Sequence, residues 1–457
     1  MASFAEECAV VGVYGCPNAA NIAYYALFAM QHRGQEASGI SSANGQKIHT
    51  IKNQGLVTSV FNQQNLAKLQ GFAAVGHNRY STAGGDSIFD AQPIFARYDL
   101  GEISVVHNGN LTNAKALRSE LINNGAIFQS FLDTEILTHL IAKSKHQHLQ
   151  ERITDAVAQI EGAYCLLFLS RSKMFALRDP LGFRPLSLGT IRNHDGSIGY
   201  IVASETCAFD LVNATFEREI EPGEMLVFDG SKPPQSFKLA QKPVHYPCIF
   251  EYIYFARPDS RIFGRNVYHV RKAMGVELAK EKPIDADMVI PVPDSGIAAA
   301  LGYAKQSQIP FELGIVRNHY VGRTFIEPTQ QIRELKVRLK LNPIREIIAG
   351  KRLVVIDDSI VRGTTSKQIV RILRDAGAKE IHMRISSPPT AHSCYYGVDT
   401  PDEQELISHK MNLDEICRYI EADSLAYLSI EGLRKSLACG DDEQFCQACF
   451  DGKYPLH

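Results

Sequence analysis

The stretch KRLVVIDDSIVRGTTSKQIVRILRDAGAKEIHMRISSPP, residues 351–389, limits the possible folds of this chain more than any other part of the sequence. Its pattern predicts a strand, a loop, a helix ended by Gly377 and a second strand. The apolar residues on one side of the helix are Ile369, Val370, Ile372 and Leu373. Because strand–helix–strand order implies a parallel sheet with right-handed crossovers, this half is predicted to be an α/β domain.

The first ~230 residues have a different pattern, since short strand-like runs such as CAVVGVYG and AYCLLFLS are separated by Gly, Asn and Asp. This pattern is typical of stacked antiparallel sheets. Two helices are predicted within it, one near ANIAYYALFAMQHRG that ends at Gly34, and one at DTEILTHLIAKS with Asp133 and Thr134 as its N-cap. The proline-rich stretch 227–247 predicts a domain boundary.

Length and composition exclude several classes of protein. The 457 residues predict two or three domains, at roughly 100–200 residues each. A net charge of −2 provides no field for binding nucleic acid or an anionic membrane. No apolar stretch reaches the ~18 residues of a membrane span, and the N-terminus does not resemble a secretory signal. We therefore expect a cytoplasmic protein with no nucleic-acid or membrane partner, in which clustered cysteines indicate metal binding or catalysis.

Asp357 and Asp358 end an aliphatic run, at the edge of a parallel sheet where ligands bind. Adjacent carboxylates repel each other unless a cation or sugar hydroxyls compensate them. A turn leading into a helix follows and offers outward-pointing N–H groups, a helix dipole and hydroxyl donors to an anion. Its residues are Arg362, Gly363, Thr364, Thr365 and Ser366. The sequence therefore predicts a site for a phosphate, vicinal hydroxyls and Mg²⁺.

The string VVIDDSIVRGTTS resembles the loop of type I phosphoribosyltransferases that binds phosphoribosyl pyrophosphate (PRPP). In that family the acids meet the ribose hydroxyls and the metal, and the turn holds the 5′-phosphate. PVPDSG at 291–296 resembles the second PRPP-binding segment, with Ser295 at the metal-contacting position. The long polar segment 318–342 is predicted to be a closing lid that excludes water, with Arg323 and Lys340 meeting phosphates.

Cys8 is a candidate nucleophile near the chain start. If residues 1–7 were removed as a propeptide, Cys8 would carry a free α-amino group with a reference pKa of about 7.7–8.0, well placed to act as a base for its own thiol. An Asn108-Gly109 turn offers a side-chain amide and a backbone N–H, the two donors of an oxyanion hole.

Three charged residues complete this candidate site: Arg33, Arg79 and Asp133. Arg79 suits the α-carboxylate of a free amino acid, and Asp133 its α-ammonium. As an ordered set after an early cysteine, these motifs resemble the class II glutamine amidotransferase domain of the N-terminal-nucleophile hydrolases. The resemblance implies an α+β domain with an αββα sandwich, in which Cys8, Asn108 and Gly109 are catalytic and the three charged residues bind glutamine.

Together the two halves resemble the amidophosphoribosyltransferase family over nearly the whole chain. The resemblance implies transfer of the glutamine amide nitrogen to PRPP, which yields 5-phosphoribosylamine, glutamate and diphosphate at the start of purine synthesis. It also implies one Mg²⁺ per subunit at Ser295, Asp357 and Asp358, feedback inhibition by AMP and GMP, and a homotetramer. The expected segments are a propeptide at 1–7, a glutaminase domain at 8–232, a phosphoribosyltransferase domain at 240–440 and a tail at 441–457.

Four cysteines match the ligand positions of the iron–sulfur members: Cys248, Cys394, Cys446 and Cys449. Four thiolates suit one [4Fe–4S] cluster or a zinc ion, and the resemblance favours the cluster. Cys439 lies outside the matching motif, whereas Cys165, Cys207 and Cys417 suit a buried apolar role. Two alternative functions are a non-catalytic PRPP-sensing regulator and another class II glutamine amidotransferase.

Overall fold

The computed structural model describes residues 8–80, 88–230, 232–239, 244–318, 341–398, 402–440 and 443–456. The predicted propeptide, Arg323, Lys340 and most of the predicted lid lie outside these residues. In the described part of the chain, no helix has both the length and the apolar character needed to cross a bilayer.

The first half contains two antiparallel sheets, as its alternating strand patterns predict. The first sheet has the order β11-β9-β10-β1-β4-β2-β3, and the second has the order β13-β12-β8-β7-β6-β5. The strands of the first sheet are β1 (Ala9–Tyr14), β2 (Ala37–Ala43), β3 (Ile48–Gln54), β4 (Ala73–Arg79), β9 (Ser187–Arg192), β10 (Ile198–Ala203) and β11 (Thr215–Glu219). Those of the second are β5 (Ile94–Tyr98), β6 (Gly101–Leu111), β7 (Gly162–Ser170), β8 (Lys173–Arg178), β12 (Glu224–Asp229) and β13 (Gln235–Lys238).

Helices cover the outer face of each sheet. The helices of this half are α1 (Ala19–Ala29), α2 (Val57–Val60), α3 (Gln63–Leu66), α4 (Ala114–Asn123), α5 (Thr134–Lys143), α6 (Leu149–Val157) and α7 (Cys207–Leu211). Successive strand residues point to opposite faces, so Val11 of β1 packs against α1 while Val10 packs between the two sheets. A third core joins α5 and α6 to the second sheet. These layers confirm the predicted αββα sandwich.

The second half is built on a parallel sheet of order β16-β19-β20-β21. Its strands are β16 (Met288–Pro291), β19 (Arg352–Asp357), β20 (Glu380–Ile385) and β21 (Ser424–Tyr427). Two short antiparallel pairs accompany it, β14 (Arg261–Ile262) with β15 (Arg265–Asn266) and β17 (Ile315–Arg317) with β18 (Leu341–Pro343). Val354 and Val355 of β19 face different cores, so helices cover both faces as the α/β prediction requires.

The helices of this half are α8 (Val267–Glu281), α9 (Ile297–Ser307), α10 (Arg345–Ile348), α11 (Thr364–Asp375), α12 (Ile407–Lys410), α13 (Leu413–Ile420), α14 (Ile430–Ser436) and α15 (Ala448–Asp451). Helix α11 is the one predicted from the sequence. All four of its predicted apolar residues are buried, and Gly377 follows its end with φ of +95°. A short π-helix, Glu251–Phe255, connects the two halves and packs in the core formed by α8 and α9.

Three details differ from the sequence predictions. Strand β13 pairs with β12, so the first domain continues past the predicted end at residue 232. Helix α1 ends at Ala29, and a 3₁₀ turn, Gln31–Arg33, separates it from Gly34. Asp133 occupies the N-cap position of α5 but makes no capping hydrogen bond with its side chain, which is bonded elsewhere.

Candidate active sites

Cys8 lies immediately before β1, at the edge of the first sheet. Its side chain is buried, and its Sγ donates a hydrogen bond to the carbonyl oxygen of Tyr80 at 3.5 Å. Burial raises the pKa of the thiol to about 11, although the Tyr80 contact and the positive charge of Arg79 act in the opposite direction. At neutral pH the thiol of the unprocessed chain is therefore protonated, and a nearby base would be needed to make it a nucleophile.

The structure brings Arg79 and Asp133 together around Cys8. Both are close enough for their charges to change the pKa of the thiol, and Arg79 is the last residue of β4, next to β1 in the sheet. Asp133 accepts a hydrogen bond from the amide of Leu111 at 3.0 Å and lies 3.4 Å from Nδ1 of His107. Burial raises the pKa of Asp133, but His107 and these hydrogen bonds lower it below its ordinary value. The carboxylate is thus held ionised beside the thiol.

The predicted oxyanion residues lie on β6, to which Asp133 is hydrogen-bonded through the amide of Leu111. The side-chain amide nitrogen of Asn108 is buried and has no hydrogen-bond partner among the described residues. An unpaired buried donor is costly, so its presence indicates a ligand that accepts from it. Gly109 has φ of +142°, and a Cβ there would lie 2.0 Å from the carbonyl oxygen of Ala163. Only glycine fits this position without displacing the neighbouring strand.

Arg33 differs from its prediction. Its side chain is buried, its Nε donates to the carbonyl oxygen of Cys8 at 3.1 Å, and its terminal nitrogens bind Glu205 and Glu251. In this structure Arg33 therefore contacts the main chain of Cys8 and two carboxylates, which differs from the glutamine contact predicted for it.

The paired carboxylates lie at the carboxyl end of β19, a central strand of the parallel sheet. Both are buried, and burial together with the charge of Asp358 raises the pKa of Asp357 well above its ordinary value. Burial also raises the pKa of Asp358, against hydrogen bonds from Ser295 and Ser359 and the charge of Arg271. Ser295 therefore lies within hydrogen-bonding reach of Asp358. Two buried carboxylates and a hydroxyl are the oxygen donors that Mg²⁺ prefers.

The predicted phosphate turn leads directly into α11. Gly363 adopts φ of +74° before the helix starts at Thr364, and a Cβ at Gly363 would lie 2.6 Å from a methyl group of Ile407. The first N–H groups of a helix have no partners within the helix, so this turn can receive an anion. Thr364 is exposed, Thr365 is partly exposed and Ser366 is buried. Arg362 donates its Nε to Glu405 at 2.7 Å, which leaves it paired in this conformation.

The four predicted cluster ligands converge on one small cavity. Its lining includes Cys248, Cys394, Cys446 and Cys449. A parallel bridge between Cys248 and Cys446 fixes two of them, and the amides of Ala391 and His392 donate to the carbonyl oxygen of Cys449. Cys439 instead lies near Glu443 and Arg265, so it does not join the group.

Sequence reasoning missed several buried residues with ionisable side chains. They are His77, Glu205, Glu251, Arg184 and Arg271. His77 contacts the carbonyl oxygen of His107 at 3.0 Å and so connects β4 to β6, beside the oxyanion residues. Two of the missed residues, His77 and Glu251, lie within the motifs HNRYST and EYIYFARPDS, but nothing in a linear motif shows which distant charges meet.

The fold and the two sites together define a glutamine amidotransferase joined to a phosphoribosyltransferase. Residues 77–210 match the family described as glutamine amidotransferase domain, and residues 266–401 match the phosphoribosyl transferase domain. The chain belongs to the amidophosphoribosyltransferase family. It transfers the amide nitrogen of glutamine to PRPP, giving 5-phosphoribosylamine, glutamate and diphosphate.

Similarity to known proteins extends over almost the whole chain. Amidophosphoribosyltransferase 1, chloroplastic, of Arabidopsis thaliana is 53% identical over 99% of this chain and 79% of its own length. The amidophosphoribosyltransferase of Bacillus subtilis is 48% identical, covering 98% and 94%. The solved structure of glutamine PRPP amidotransferase from B. subtilis complexed with ADP and GMP superposes with a TM-score of 0.92 at 48% identity, covering 98% of this chain and 97% of that one. Neither alternative function accounts for both domains.

Proposed function

We propose that Cys8 attacks the amide carbonyl of glutamine and that Asn108 and Gly109 stabilise the resulting oxyanion. The observation that carries this assignment is the buried, unpaired side-chain amide of Asn108, on a strand bonded to Asp133, whose charge acts on the thiol. Asp133 would receive the α-ammonium of glutamine and Arg79 its α-carboxylate. The ammonia released would then displace diphosphate at the second site.

Removal of residues 1–7 is the second part of the proposal. A thiol with a pKa of about 11 is almost entirely protonated at pH 7. A free α-amino group on Cys8 itself would act as the base, because its reference pKa of about 7.7–8.0 allows it to accept the thiol proton near neutrality.

Mass spectrometry of the purified, active protein is expected to show a chain that begins at Cys8. A matched preparation of Cys8→Ala reports whether the same residue is needed for the cleavage. Full glutamine-dependent activity in a preparation whose first residue is Met1 or Ala2 would contradict the proposed role of the α-amine.

At the second site, Asp357, Asp358 and Ser295 would hold Mg²⁺, and Arg362 to Ser366 would hold the 5′-phosphate of PRPP. The fit rests on the raised pKa of both acids, since a divalent cation offsets the repulsion that burial and proximity create. When bound, the metal would neutralise the charge of the diphosphate leaving group. The proposal extends to Arg323 and Lys340 as phosphate contacts.

We further propose one [4Fe–4S] cluster per subunit on the four cysteines that line the small cavity. Four thiols around one cavity supply the four sulfur ligands of such a cluster, which would tie Cys394 to the C-terminal segment. A zinc ion also accepts four thiolates, and the family resemblance favours the cluster.

Protein purified without oxygen is expected to contain about four iron and four sulfide per chain and to absorb in the visible range. Cys446→Ser should lose most of this iron, because it removes one of the four ligands. Cys439→Ser serves as the matched control and should keep it. One zinc per chain with no iron in the unmodified protein would contradict the cluster.

Regulation, assembly and location complete the proposal. The B. subtilis relative was solved with ADP and GMP bound, which supports purine nucleotides, AMP and GMP, as feedback inhibitors here. A homotetramer is proposed from the family. A reducing compartment, the cytoplasm, suits ten cysteines that are all free thiols, although several plant relatives are chloroplast proteins.

A further inference from the structure

The main chain of Cys8 is held by a side chain from elsewhere in the fold. Sheet pairing of β1 with β4 begins at Ala9, one residue after the nucleophile. The hydrogen bond from Nε of Arg33 to the carbonyl oxygen of Cys8, at 3.1 Å, therefore fixes the peptide that carries the reacting thiol. Once residues 1–7 are removed, this contact would hold the new chain end, whose orientation decides whether the thiol can attack.

Arg33 is itself fixed by two buried carboxylates. Glu251 binds it through two hydrogen bonds, from Nη2 to Oε1 at 2.7 Å and from Nη1 to Oε2 at 2.9 Å. Glu205 accepts a third, from Nη1 at 2.8 Å. All three side chains have zero exposure to solvent. Burial lowers the pKa of Arg33, but Glu251 and then Glu205 raise it above its ordinary value. A two-pronged pair of this kind sets the plane of the guanidinium as well as its position.

Glu251 comes from the second half of the protein. It opens the π-helix Glu251–Phe255, which packs in the core shared with α8 and α9. Arg271 of α8 anchors this helix, since it donates to the carbonyl oxygens of Tyr252 at 2.7 Å and Ala256 at 2.8 Å. The charge of Arg271 also acts on Asp358 of the PRPP site. The segment that clamps Arg33 is thus attached to a residue beside the other active site.

We infer that Glu251 is a positioning residue for glutamine hydrolysis, which acts through Arg33 to hold Cys8 in its attacking orientation. The inference rests on the proposed role of Cys8 as the nucleophile. It implies that the glutaminase site is complete only when the phosphoribosyltransferase half is packed against it. Because Glu251 acts on Cys8 through Arg33, its loss should affect the rate of attack more than the binding of glutamine.

Glu251→Gln keeps the size of the side chain and removes its charge. We expect kcat with glutamine to fall about 10- to 100-fold, because small displacements of a reacting group have effects of this size. KM for glutamine and the rate with added ammonia should change by less than about twofold, since the binding residues and the second site are untouched. Steady-state diphosphate release with each nitrogen source measures all three quantities.

Two further variants keep the inference testable. Glu251→Asp retains the charge but withdraws the carboxylate by one methylene. We expect kcat with glutamine to fall by less than in Glu251→Gln, while KM and the rate with ammonia again stay nearly unchanged. This variant replaces Glu251→Gln if that protein does not fold. Glu224→Gln on β12 breaks another two-pronged pair, with Arg218 of β11, and is the matched control that should keep the glutamine rate.

The outcomes separate this inference from the proposed nucleophile. Unchanged kcat with glutamine in both Glu251 variants, or equal loss with glutamine and ammonia in both, would overturn the positioning role. Retained glutamine use in Cys8→Ala, measured in parallel, would instead overturn the nucleophile on which it rests.

Discussion

Cys8→Ala is expected to abolish synthesis of 5-phosphoribosylamine from glutamine while synthesis from added ammonia continues. The variant removes the sulfur that would form the thioester, so the rate with glutamine should fall by at least about 10³-fold. Ammonia supplied in solution reaches the second site without that step. The measurement is diphosphate release with glutamine, and then with an ammonium salt at alkaline pH where more of it is present as ammonia.

Cys16→Ala is the matched control for this experiment. Cys16 is buried in the core beneath α1 and has a raised pKa caused by burial, like Cys8, but it lies outside the predicted site. Its removal should leave both rates within about twofold of the unmodified protein. Loss of synthesis from both glutamine and ammonia in Cys8→Ala would show that the two reactions do not have separate centres.

The parts of this protein that could be predicted from sequence are those in which function lies in one short stretch. The acid pair, the turn at Gly363 and helix α11 are consecutive, so strand periodicity and glycine chemistry place them at one sheet edge without knowledge of the rest. The Asn108-Gly109 pair was recognisable for the same reason, but the predicted turn is wrong, because both residues lie within strand β6 and pair with β7. The structure adds that Gly109 is sterically required, because a neighbouring carbonyl occupies the space of a Cβ.

The parts that could not be predicted depend on residues that meet across long separations. The family resemblance assigned Arg33 to glutamine, yet in the structure its side chain binds Glu205 and Glu251, which lie 172 and 218 residues away along the chain. Asp133 was correctly located at a helix start, but His107 and the Leu111 amide use its carboxylate in place of a cap. Strand β13 was missed because prolines and lysines flank its four residues.

The acid pair is expected to show opposite effects on stability and activity. With no ligand bound, burial and the charge of Asp358 raise the pKa of Asp357 well above its unfolded value, so keeping it ionised at pH 7 costs stability. That cost is absent at a pH below the pKa of Asp357 in the unfolded chain, and it reaches its full size above the pKa of Asp357 in the folded protein. Asp357→Asn should therefore raise the free energy of unfolding of the ligand-free protein at pH 7.5, as measured by chemical denaturation.

The same substitution should remove catalysis by the second site. If Asp357 and Asp358 hold the metal and the ribose of PRPP, losing either carboxylate weakens transition-state stabilisation by several kcal/mol, which is at least about 100-fold in rate. Synthesis from glutamine and synthesis from ammonia should then be lost together, whereas Cys8→Ala should lose only the first. Glu380→Gln, at the opposite end of the parallel sheet, is the matched control and should keep both rates. An Asp357→Asn or Asp358→Asn protein that still uses ammonia would refute the assignment. A variant that is more stable, inactive with both nitrogen sources and unable to bind PRPP would support it. That result would show that the protein retains the repulsion between these two carboxylates because the bound ligand relieves it.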